Sequence, residues 1–553
     1  MKKLKMGLAG VFFTFAALFA ISFKDVDYFE ISKNIDIFVS LFKELNIHYV
    51  DKVEPSHAIR VAIDAMLKDL DPYTEYYSEA ETEDFRIQTT GKYGGIGSLI
   101  SQRDEFVIID EPYEGMPAHL AGLIPGDRIL EIDGKSMKGK KTDDVSKLLK
   151  GQAGSSFKLT YERLQADGTY KKMTTEITRK EIKLKNVPYA GMISNDIGYI
   201  KLESFMENAG NDVRTEFLKL KEANKNMKGL VLDLRGNPGG LLHEAVDLSN
   251  IFIDQNNEIV STKGKIQEMQ STHRTKRRAD DANIPLIVLT NGGSASASEI
   301  VAGAVQDYDR GVILGGKTFG KGLVQNTRPL PYNTQMKVTT AKYYIPSGRC
   351  IQAINYAEKN PDGSVKKIPD SLKIPFKTKA GRVVYDGGGI DPDVKTKKEY
   401  LAPIIFYLMA KGVTADFANQ YVAKNPKPNS PKTFRLPDAE YEKFIQYAKS
   451  KNFNYDSEVD RELANLKEKA EGEKLMPSIQ KAYDELAAKV KEAKNNEFMT
   501  HKKDIHEYLE GEIVRRYFFR KGVVEHDFEH DEDIKEALKL FANPSEYNKL
   551  LKK

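Results

Sequence analysis

The sequence predicts a multidomain α+β fold, and four observations support this class. A chain of 553 residues is too long for one hydrophobic core, so several domains are expected. Between residues 190 and 320, apolar strands alternate with helices, which predicts an α/β core with a central sheet. A segment of short strands with glycine turns precedes this core. Helical periodicity marks both the N-terminal unit and a charged helical C-terminal region.

The composition excludes several functions. The net charge is only +4, from 84 basic and 80 acidic residues, so the chain has no strong field for nucleic acid. Charged residues are 30% and apolar residues 40% of the chain, which is typical of a globular protein. The single cysteine, Cys350, excludes an intramolecular disulfide and any cysteine-based zinc site.

Residues 1–25 predict a signal peptide or a membrane anchor. Lys2 and Lys3 precede an apolar run from Met6 to Phe23, the arrangement of an export signal. The run is at the short end for a membrane span, and no clean Ala-x-Ala cleavage site follows it, so both alternatives stay open. Either one places the bulk of the chain outside the cytoplasm. We expect an extracytoplasmic, periplasmic protein, with membrane association if the segment is retained.

Residues 26–88 are predicted to form a helical N-terminal domain. Ile31 to Asn46 carry apolar side chains on one helical face, and a second helix is expected from Ser56 to Leu70. Asp71-Pro72-Tyr73 ends this helix, because proline disfavours helical backbone in the residue before it. Nothing in this domain indicates catalysis.

Residues 89–182 contain the short strands. In the glycine loop Tyr93-Gly94-Gly95-Ile96-Gly97, successive N–H groups can form a nest for a carboxylate, and the strand edge can pair with an extended peptide. Thr142 is the predicted N-cap of a helix from Asp143 to Lys150. The order of these parts resembles a PDZ domain, which implies that residues 93–97 bind a peptide tail. The alternative is a small β-unit whose glycines only make turns.

Two strand-to-helix turns in residues 183–398 carry candidate catalytic groups. The strand Gly229–Leu234 runs into Arg-Gly-Asn-Pro-Gly-Gly at 235–240, before a helix predicted from Leu241 to Phe252. A second apolar strand leads to Asn-Gly-Gly-Ser-Ala-Ser-Ala-Ser-Glu at 291–299 and then to a small-residue helix. Unpaired N–H groups at a helix start favour the negative charge that a serine's attack creates. From the residues alone the alternative is a simple N-cap, since serine is a favoured cap.

A serine nucleophile needs a base, and the sequence offers histidine or lysine. His243 is the only histidine in the predicted core helices, and its position is more typical of a packing or surface residue. Lys321 is flanked by glycines, and burial can lower a lysine pKa enough for it to act as a base. If residues 321–325 are extended, Lys321 and Gln325 point to the same face, so Gln325 can position the amine. The alternative is a surface lysine in a basic loop, as Lys317 is expected to be.

Two further patterns are interpreted as coincidental. Residues 311–318 match the phosphate-loop pattern, but the apolar strand lies inside the pattern and no helix can follow, so a nucleotide site is not expected. His526-Asp527-Phe528-Glu529-His530 matches an inverted zinc-peptidase pattern. It lies among acidic residues with no obvious third ligand, and we interpret it as a solvated helix face. We therefore expect no metal and no cofactor, and no inhibition by a chelator.

These motifs follow one another as in the carboxyl-terminal processing peptidases, or tail-specific proteases, and the chain resembles that family over roughly residues 30–395. The segments 345–349 and 387–393 add to the resemblance. It implies a serine endopeptidase with a Ser–Lys dyad, in which Ser296 is the nucleophile, Lys321 the base and Gln325 the residue that positions it. It also implies an oxyanion hole formed by the N–H groups of Ala297 and of either Gly239 or Gly240.

The resulting prediction is an exported serine endopeptidase with a PDZ domain at 89–182 and an α/β serine protease core at 183–398. It binds the C-terminal tails of polypeptide substrates and cleaves peptide bonds through an acyl-enzyme. The alternative is a non-catalytic PDZ peptide-binding scaffold. Residues 399–553 predict a helical C-terminal domain rich in lysine and glutamate. Packing on the core, self-association as a homo-oligomer and binding of an adaptor stay open for it.

Overall fold

The computed structural model describes residues 28–165, 167–360, 364–397 and 401–552. The predicted export segment lies outside these residues and stays a prediction. Within the described ranges, no helix has both the length and the apolar character needed to cross a membrane. The chain divides into two compact units, one ending at Tyr76 and the other beginning at Tyr77. The finer domain boundaries given above stay predictions.

The first unit contains two helices close to their predicted positions. Helix α1 spans Tyr28–His48 and α2 spans Pro55–Lys68. Helix α2 begins with proline, whose fixed φ suits a first helical turn. After α2, the Asp71 carboxylate accepts hydrogen bonds from the N–H groups of Tyr73 and Thr74, both at 2.8 Å. This turn ends the helical segment.

The small β-domain comes next. Its elements are β1 (Glu75–Tyr77) at the division between the units, α3 (Glu79–Thr90), β2 (Lys92–Gly95), β3 (Ser98–Arg103), β4 (Phe106–Pro112), α4 (Pro117–Leu120), β5 (Arg128–Ile132), β6 (Lys135–Ser136), α5 (Thr142–Leu149), β7 (Ser156–Leu164), β8 (Tyr170–Thr178) and β9 (Lys180–Lys183). Strands β3, β4, β5, β7 and β8 form one antiparallel sheet in that order. Thr142 lies inside α5 and Lys141 is its N-cap, one residue earlier than predicted. Val145 of α5 is buried against Val107, Ile129 and Leu159 of the sheet.

An α/β core with a central, mostly parallel sheet follows. Its elements are β10 (Tyr189–Met192), β11 (Ile197–Lys201), α6 (Ala209–Ala223), β12 (Gly229–Asp233), α7 (Leu242–Ser249), β13 (Glu258–Gly264), β14 (Ser271–Arg274), β15 (Leu286–Thr290), α8 (Ala297–Asp307), β16 (Val312–Gly315), β17 (Leu323–Pro329), β18 (Gln335–Tyr344), β19 (Ile354–Lys359), β20 (Val365–Lys367), β21 (Pro375–Lys377), β22 (Val383–Tyr385) and β23 (Val394–Lys395). The sheet order is β10-β11-β12-β15-β16-β23, and only the pairing of β10 is antiparallel. Helix α7 is shorter than the predicted Leu241–Phe252.

The C-terminal region is helical, as predicted. It contains α9 (Pro403–Ala410), α10 (Val413–Lys424), α11 (Asp438–Ser450), α12 (Glu458–Gly472), α13 (Met476–Asn495), α14 (Glu497–Thr500), α15 (Lys502–Asp527), α16 (Glu532–Ala542) and α17 (Pro544–Leu550). Helices α9, α10, α11 and α15 share a hydrophobic core of their own. By contrast, Ile534 and Leu540 of α16 and Tyr547 of α17 are buried against the central sheet. The last two helices therefore pack on the α/β core.

The central strands are covered on both faces. Leu230 and Leu232 of β12 are buried with helices α6 to α8, whereas Val231 between them is buried with α16. Side chains alternate between the faces of a strand, so a strand covered on both sides is apolar at every position. Because β12 and β15 are parallel neighbours, their carboxyl ends lie at the same edge of the sheet. The turns at 235–240 and 291–299 meet there.

Candidate active site

Ser296 lies between β15 and α8 in a backbone conformation that L-residues rarely adopt. Its φ is 55° and its ψ is −113°. Such a conformation costs about 1–3 kcal/mol and persists where the surrounding structure imposes it, most often at functional sites. Ser296 is also the N-cap residue of α8, next to the unpaired N–H groups of the first helical turn. The strand-to-helix turn thus exposes this serine at the positive end of a helix.

The three serines of the turn have different surroundings. Ser294 is buried, and its hydroxyl donates to the Leu234 carbonyl at 2.8 Å. Ser298 is buried as well, and its hydroxyl donates to the Asn237 carbonyl at 2.9 Å. These two side chains tie the turn to the neighbouring 234–240 turn. Ser296 is only partly buried and lines a cavity.

This cavity has a volume of about 860 Å³ and brings the predicted site residues together. Six of them line it: Gly239, Gly240, Ser296, Ala297, Lys321 and Gln325. The rest of the wall comes from α3, the β3–β4 part of the small β-domain, residues 203–206 and residues 519–521 of α15. The cavity is therefore a cleft between the α/β core, the β-domain and the C-terminal helices, large enough for an extended peptide segment.

Glu299 organises the backbone around the cleft, a role that the sequence reasoning missed. Its fully buried carboxylate accepts four hydrogen bonds. The donors are the N–H groups of Ser296 (2.9 Å), Lys321 (2.9 Å) and Gly320 (2.7 Å) and the Thr318 hydroxyl (2.6 Å). Burial raises the pKa of Glu299 to about 7, although these donors lower it. Ser296 and Glu299 have the sequence spacing of a capping box. This spacing was the signal that could have predicted the hydrogen bond from the Ser296 N–H to the Glu299 carboxylate.

The turn at 235–240 lies against the backbone of residues 295–297. The Gly239 N–H donates to the Asn237 side chain at 2.8 Å, within the turn. The Gly239 carbonyl and the Leu241 N–H both bond to Phe205. The peptide bond between Gly239 and Gly240 is trans, so its N–H points opposite to its C=O, and the Gly240 N–H therefore points away from Phe205. A Cβ on Gly239, at φ 98°, would lie 2.8 Å from the Ala297 nitrogen, so only glycine permits this close approach.

Arg235 fixes this turn to the C-terminal region. Its guanidinium contacts Asp233 at 2.8 Å, Asp531 at 2.7 Å and Asp533 at 2.9 Å. Asp233 is fully buried at the end of β12. Burial opposes its ionisation, but Arg235 and Lys201 outweigh it and hold the pKa of Asp233 well below its usual range. The ion network therefore links helix α16 to the turn that lies against Ser296.

Lys321 and Gln325 both line the cleft, but residues 321–325 do not form the regular extended strand on which their shared face was predicted. Strand β17 begins only at Leu323, and its pairing with β18 shifts register between Val324 and Gln325. The Gln325 amide nitrogen donates to the Thr339 hydroxyl at 3.2 Å. Lys317, four residues before Lys321, instead pairs with Asp391 at 3.0 Å. The two lysines of this segment thus have separate environments.

The two histidine interpretations have different outcomes. His243 is 63% exposed, as expected for a surface residue. The interpretation of His526–His530 as a solvated face with no third ligand is wrong. His526 is buried, and Glu510 and His530 lie beside it. The sequence could not show this, because Glu510 is 16 residues away along the chain.

The predicted peptide-binding loop lies outside the cleft wall. Tyr93, Gly94 and Gly95 belong to β2, which pairs with β9. Ile96 is buried in the core of the β-domain, and Gly97 has a φ of 68°. A Cβ on Gly94 would lie 2.0 Å from a backbone carbonyl oxygen, so close packing alone requires glycine there. Binding of a peptide by residues 93–97 stays a prediction.

Comparison with known proteins gives three family matches. The model of peptidase family S41 matches residues 196–364, a PDZ domain model matches 108–163, and the C-terminal helical domain of a "Probable PDZ-protease" matches 404–541. The chain is 38% identical over 344 residues to a carboxy-terminal-processing protease of Bartonella bacilliformis, covering 62% of this chain and 77% of that one. A "Probable CtpA-like serine protease" of Staphylococcus aureus is 35% identical over 369 residues, covering 66% and 71%. The solved photosystem II D1 C-terminal processing protease is 27% identical, covers 66% of this chain and 93% of its own, and gives a TM-score of 0.35.

Proposed function

Because the chain belongs to peptidase family S41 and is a serine-type peptidase with a PDZ domain, we propose that it is an exported endopeptidase that uses a Ser296–Lys321 dyad. The observation that carries this proposal is the shared cleft. Ser296 is the serine of the turn that faces it, and Lys321, Gln325 and the 239–240 turn line the same wall. The proposed nucleophile, the proposed base and the proposed oxyanion donors therefore line one cavity.

In the proposed reaction, the Ser296 hydroxyl attacks a peptide carbonyl while the unprotonated Lys321 amine accepts its proton. The new C–O bond gives a tetrahedral intermediate, which collapses to an acyl-enzyme as Lys321 returns the proton to the leaving amine. Water, deprotonated by the same lysine, then releases the acyl group and restores the serine. The Gln325 side chain, held near Thr339, positions Lys321.

The oxyanion is assigned to the N–H groups of Ala297 and Gly240. Donors of this kind contribute about 3–4 kcal/mol each to transition-state stabilisation. Ala297 is the first residue of α8, so its N–H belongs to the unpaired group at the helix start. Of the two glycines, Gly239 already donates to Asn237. This favours Gly240 as the second donor.

The substrate is proposed to be a polypeptide captured by its C-terminal tail. PDZ domains bind tails by adding a strand to their sheet edge. Leu99, Glu111 and Tyr113, from or next to β3 and β4, line the same cleft as Ser296. A tail bound along this part of the β-domain can therefore extend toward the nucleophile. Export is supported by the N-terminal segment, in which lysines precede the apolar run from Met6 to Phe23. Membrane association and self-association stay predictions.

The dyad is tested by Ser296→Ala and Lys321→Ala, each assayed on a tailed peptide substrate. We expect each to lower kcat by at least about a thousandfold without loss of the folded state. Matched controls are Lys317→Ala, in the same segment but paired with Asp391, and the exposed His243→Ala. Both controls should keep near wild-type activity. Retained cleavage in either dyad variant, or loss in His243→Ala, would overturn the assignment.

The tail-binding step is tested separately. Amidating the C-terminus of the peptide substrate should raise KM about tenfold or more and leave kcat nearly unchanged, because the carboxylate is bound and not cleaved. The Ser296→Ala protein provides a binding measurement without turnover. Equal affinity for the free and amidated tails would contradict the proposed PDZ role.

A further inference from the structure

The break in helix α15 folds that helix back on itself. Phe519 has φ 56° and ψ −164°, which are not helical. Glu510 and His526 lie on opposite sides of the break, and their Oε2 and Nε2 atoms are 3.2 Å apart. In a continuous helix, sixteen residues would separate them by about 24 Å. A second pair, Glu507 Oε1 and His530 Nδ1, is 3.4 Å apart. The two halves of α15, with residues 528–530, therefore form a hairpin.

Metal-ligating side chains gather inside this hairpin. Glu510, His526 and His530 each offer a ligand atom, and these atoms lie within 4.8 Å of one another. Glu510 and His526 are each only 1% exposed. The pattern seen in the sequence supplies two of the three groups. Its glutamate, Glu529, does not take part, because it is 59% exposed and pairs with Arg435.

Two observations point to a cation rather than to packing alone. His530 Nε2 is buried and makes no hydrogen bond within the described residues, whereas His526 Nδ1 lies 3.6 Å from Asp527 Oδ1. Orphaned buried nitrogens are uncommon in native proteins and call for an explanation. In addition, the other Glu510 oxygen, Oε1, accepts the Leu436 N–H at 2.6 Å and lies 3.4 Å from His506 Nδ1. Such contacts orient the carboxylate so that its second oxygen, Oε2, points to His526 Nε2, the arrangement of two ligands of one ion.

We propose that Glu510, His526 and His530 bind a divalent cation. Two imidazole nitrogens and one carboxylate oxygen form a ligand set suited to zinc, with a fourth position left for water. None of the three residues lines the cleft that contains Ser296. The ion is therefore structural and takes no part in peptide hydrolysis.

The position of the site gives the ion a role in shaping the cleft. The hairpin tip, residues 519–521, forms part of the cleft wall. At the other end, Asp531 directly follows His530 and contacts Arg235 of the oxyanion turn at 2.7 Å. An ion that joins the two arms of the hairpin fixes both contacts. This explains why one buried and one partly buried histidine lie next to a buried glutamate.

The proposal is tested by zinc titration of the full-length chain, purified without a polyhistidine tag and freed of metal by dialysis. Zinc chloride is titrated in competition with a chromophoric chelator, and the bound metal is counted by mass spectrometry. We expect one tightly bound ion per chain and a higher unfolding temperature with zinc. His530→Ala should weaken binding at least about a hundredfold. His530 is 27% exposed, so this variant is the one best placed to fold.

His501→Ala is the matched control, since His501 lies in the same domain but outside the cluster. It should bind zinc like the wild type. Glu510→Gln and His526→Gln provide two further variants, each expected to lose the ion. No tight binding to the wild type, or equal binding by His530→Ala and His501→Ala, would overturn the proposal. If zinc binds but leaves the unfolding temperature unchanged, the ion does not hold the two arms of the hairpin together.

Discussion

The substitution Glu299→Gln tests how Ser296 and Lys321, the proposed nucleophile and base, are held together. The two oxygens of the Glu299 carboxylate divide its donors. Oε2 accepts the N–H groups of Ser296 and Lys321, and Oε1 accepts the Gly320 N–H and the Thr318 hydroxyl. A hydroxyl can turn to accept a hydrogen bond, but an N–H cannot. We therefore expect the glutamine oxygen to face Ser296 and Lys321 and its amide nitrogen to face Thr318.

The size of the effect follows from this orientation. Above pH 7 the Glu299 carboxylate is ionised. Hydrogen bonds to charged groups contribute about 1.5–3 kcal/mol and neutral ones about 0.5–1.5 kcal/mol, so at that pH the bonds to Ser296 and Lys321 each weaken by about 1 kcal/mol. A total of about 2 kcal/mol lost at the reacting groups corresponds to a fall in kcat of about thirtyfold. The Gly320 N–H loses its partner altogether, which destabilises the fold by a further 1–3 kcal/mol or so. KM should stay within about twofold, because Glu299 is not part of the cleft wall.

The pH dependence of stability gives the same substitution a second readout. The folded-state pKa of Glu299 is raised from 4.5 to about 7 by burial. Its contribution to stability is therefore fully present below pH 4.5 and is lost as the pH rises through 7. The shift corresponds to about 3 kcal/mol. Glutamine does not titrate, so the variant should gain about this much relative to the wild type between pH 5 and pH 8 or so.

The assay is steady-state cleavage of a tailed peptide together with thermal unfolding at both pH values. Glu244→Gln is the matched control, because Glu244 is also a buried carboxylate that accepts two backbone N–H groups, those of Asn208 and Gly210. It lies outside the cleft wall, and its kcat should not change. An unchanged kcat in a folded Glu299→Gln protein, or parallel pH profiles for variant and wild type, would refute the positioning role.

Three further substitutions test other parts of the site. Gln325→Ala should lower kcat about tenfold, because the proposed base Lys321 is then no longer held in position. Asn326→Ala, at the exposed neighbouring residue, should leave kcat unchanged. Equal rates for the two variants would exclude positioning by Gln325. Arg235→Ala leaves the buried Asp233 carboxylate with only the more distant Lys201 cation, at 3.4 Å, and should lower the unfolding free energy by about 3 kcal/mol, measured by chemical denaturation. An unfolding curve like that of the wild type would contradict the ion network. Gly94→Ala should lower the unfolding temperature of the β-domain through its clash with a backbone carbonyl, and unchanged stability with weakened tail binding would instead favour a direct peptide contact.

Much of the fold and the candidate site followed from local patterns. The unbroken apolar runs of β12 and β15 require a sheet covered on both faces, and the glycine and serine turns after them lie at the carboxyl ends of parallel neighbours. The family resemblance, which the S41 match confirms, then selected Ser296 and Lys321. The Glu299 role was missed because three of its four donors come from residues 318–321, about twenty positions further along the chain. The bounds of α5 and α7 were wrong by one to three residues, since helix ends depend on capping and packing.

By itself, the sequence predicted the order of the domains and the residues proposed for catalysis, because strand periodicity, glycine turns and reactive side chains are local properties of the chain. The family resemblance had selected Ser296 from the three serines, but the physical reason came only from the tertiary structure: the hydroxyls of Ser294 and Ser298 are used in hydrogen bonds to a turn sixty residues away. The surroundings of His526 and His530 were also known only from the tertiary structure. The non-helical backbone at Phe519 folds Glu510 back next to the two histidines. The periodicity of a continuous helix does not predict this contact.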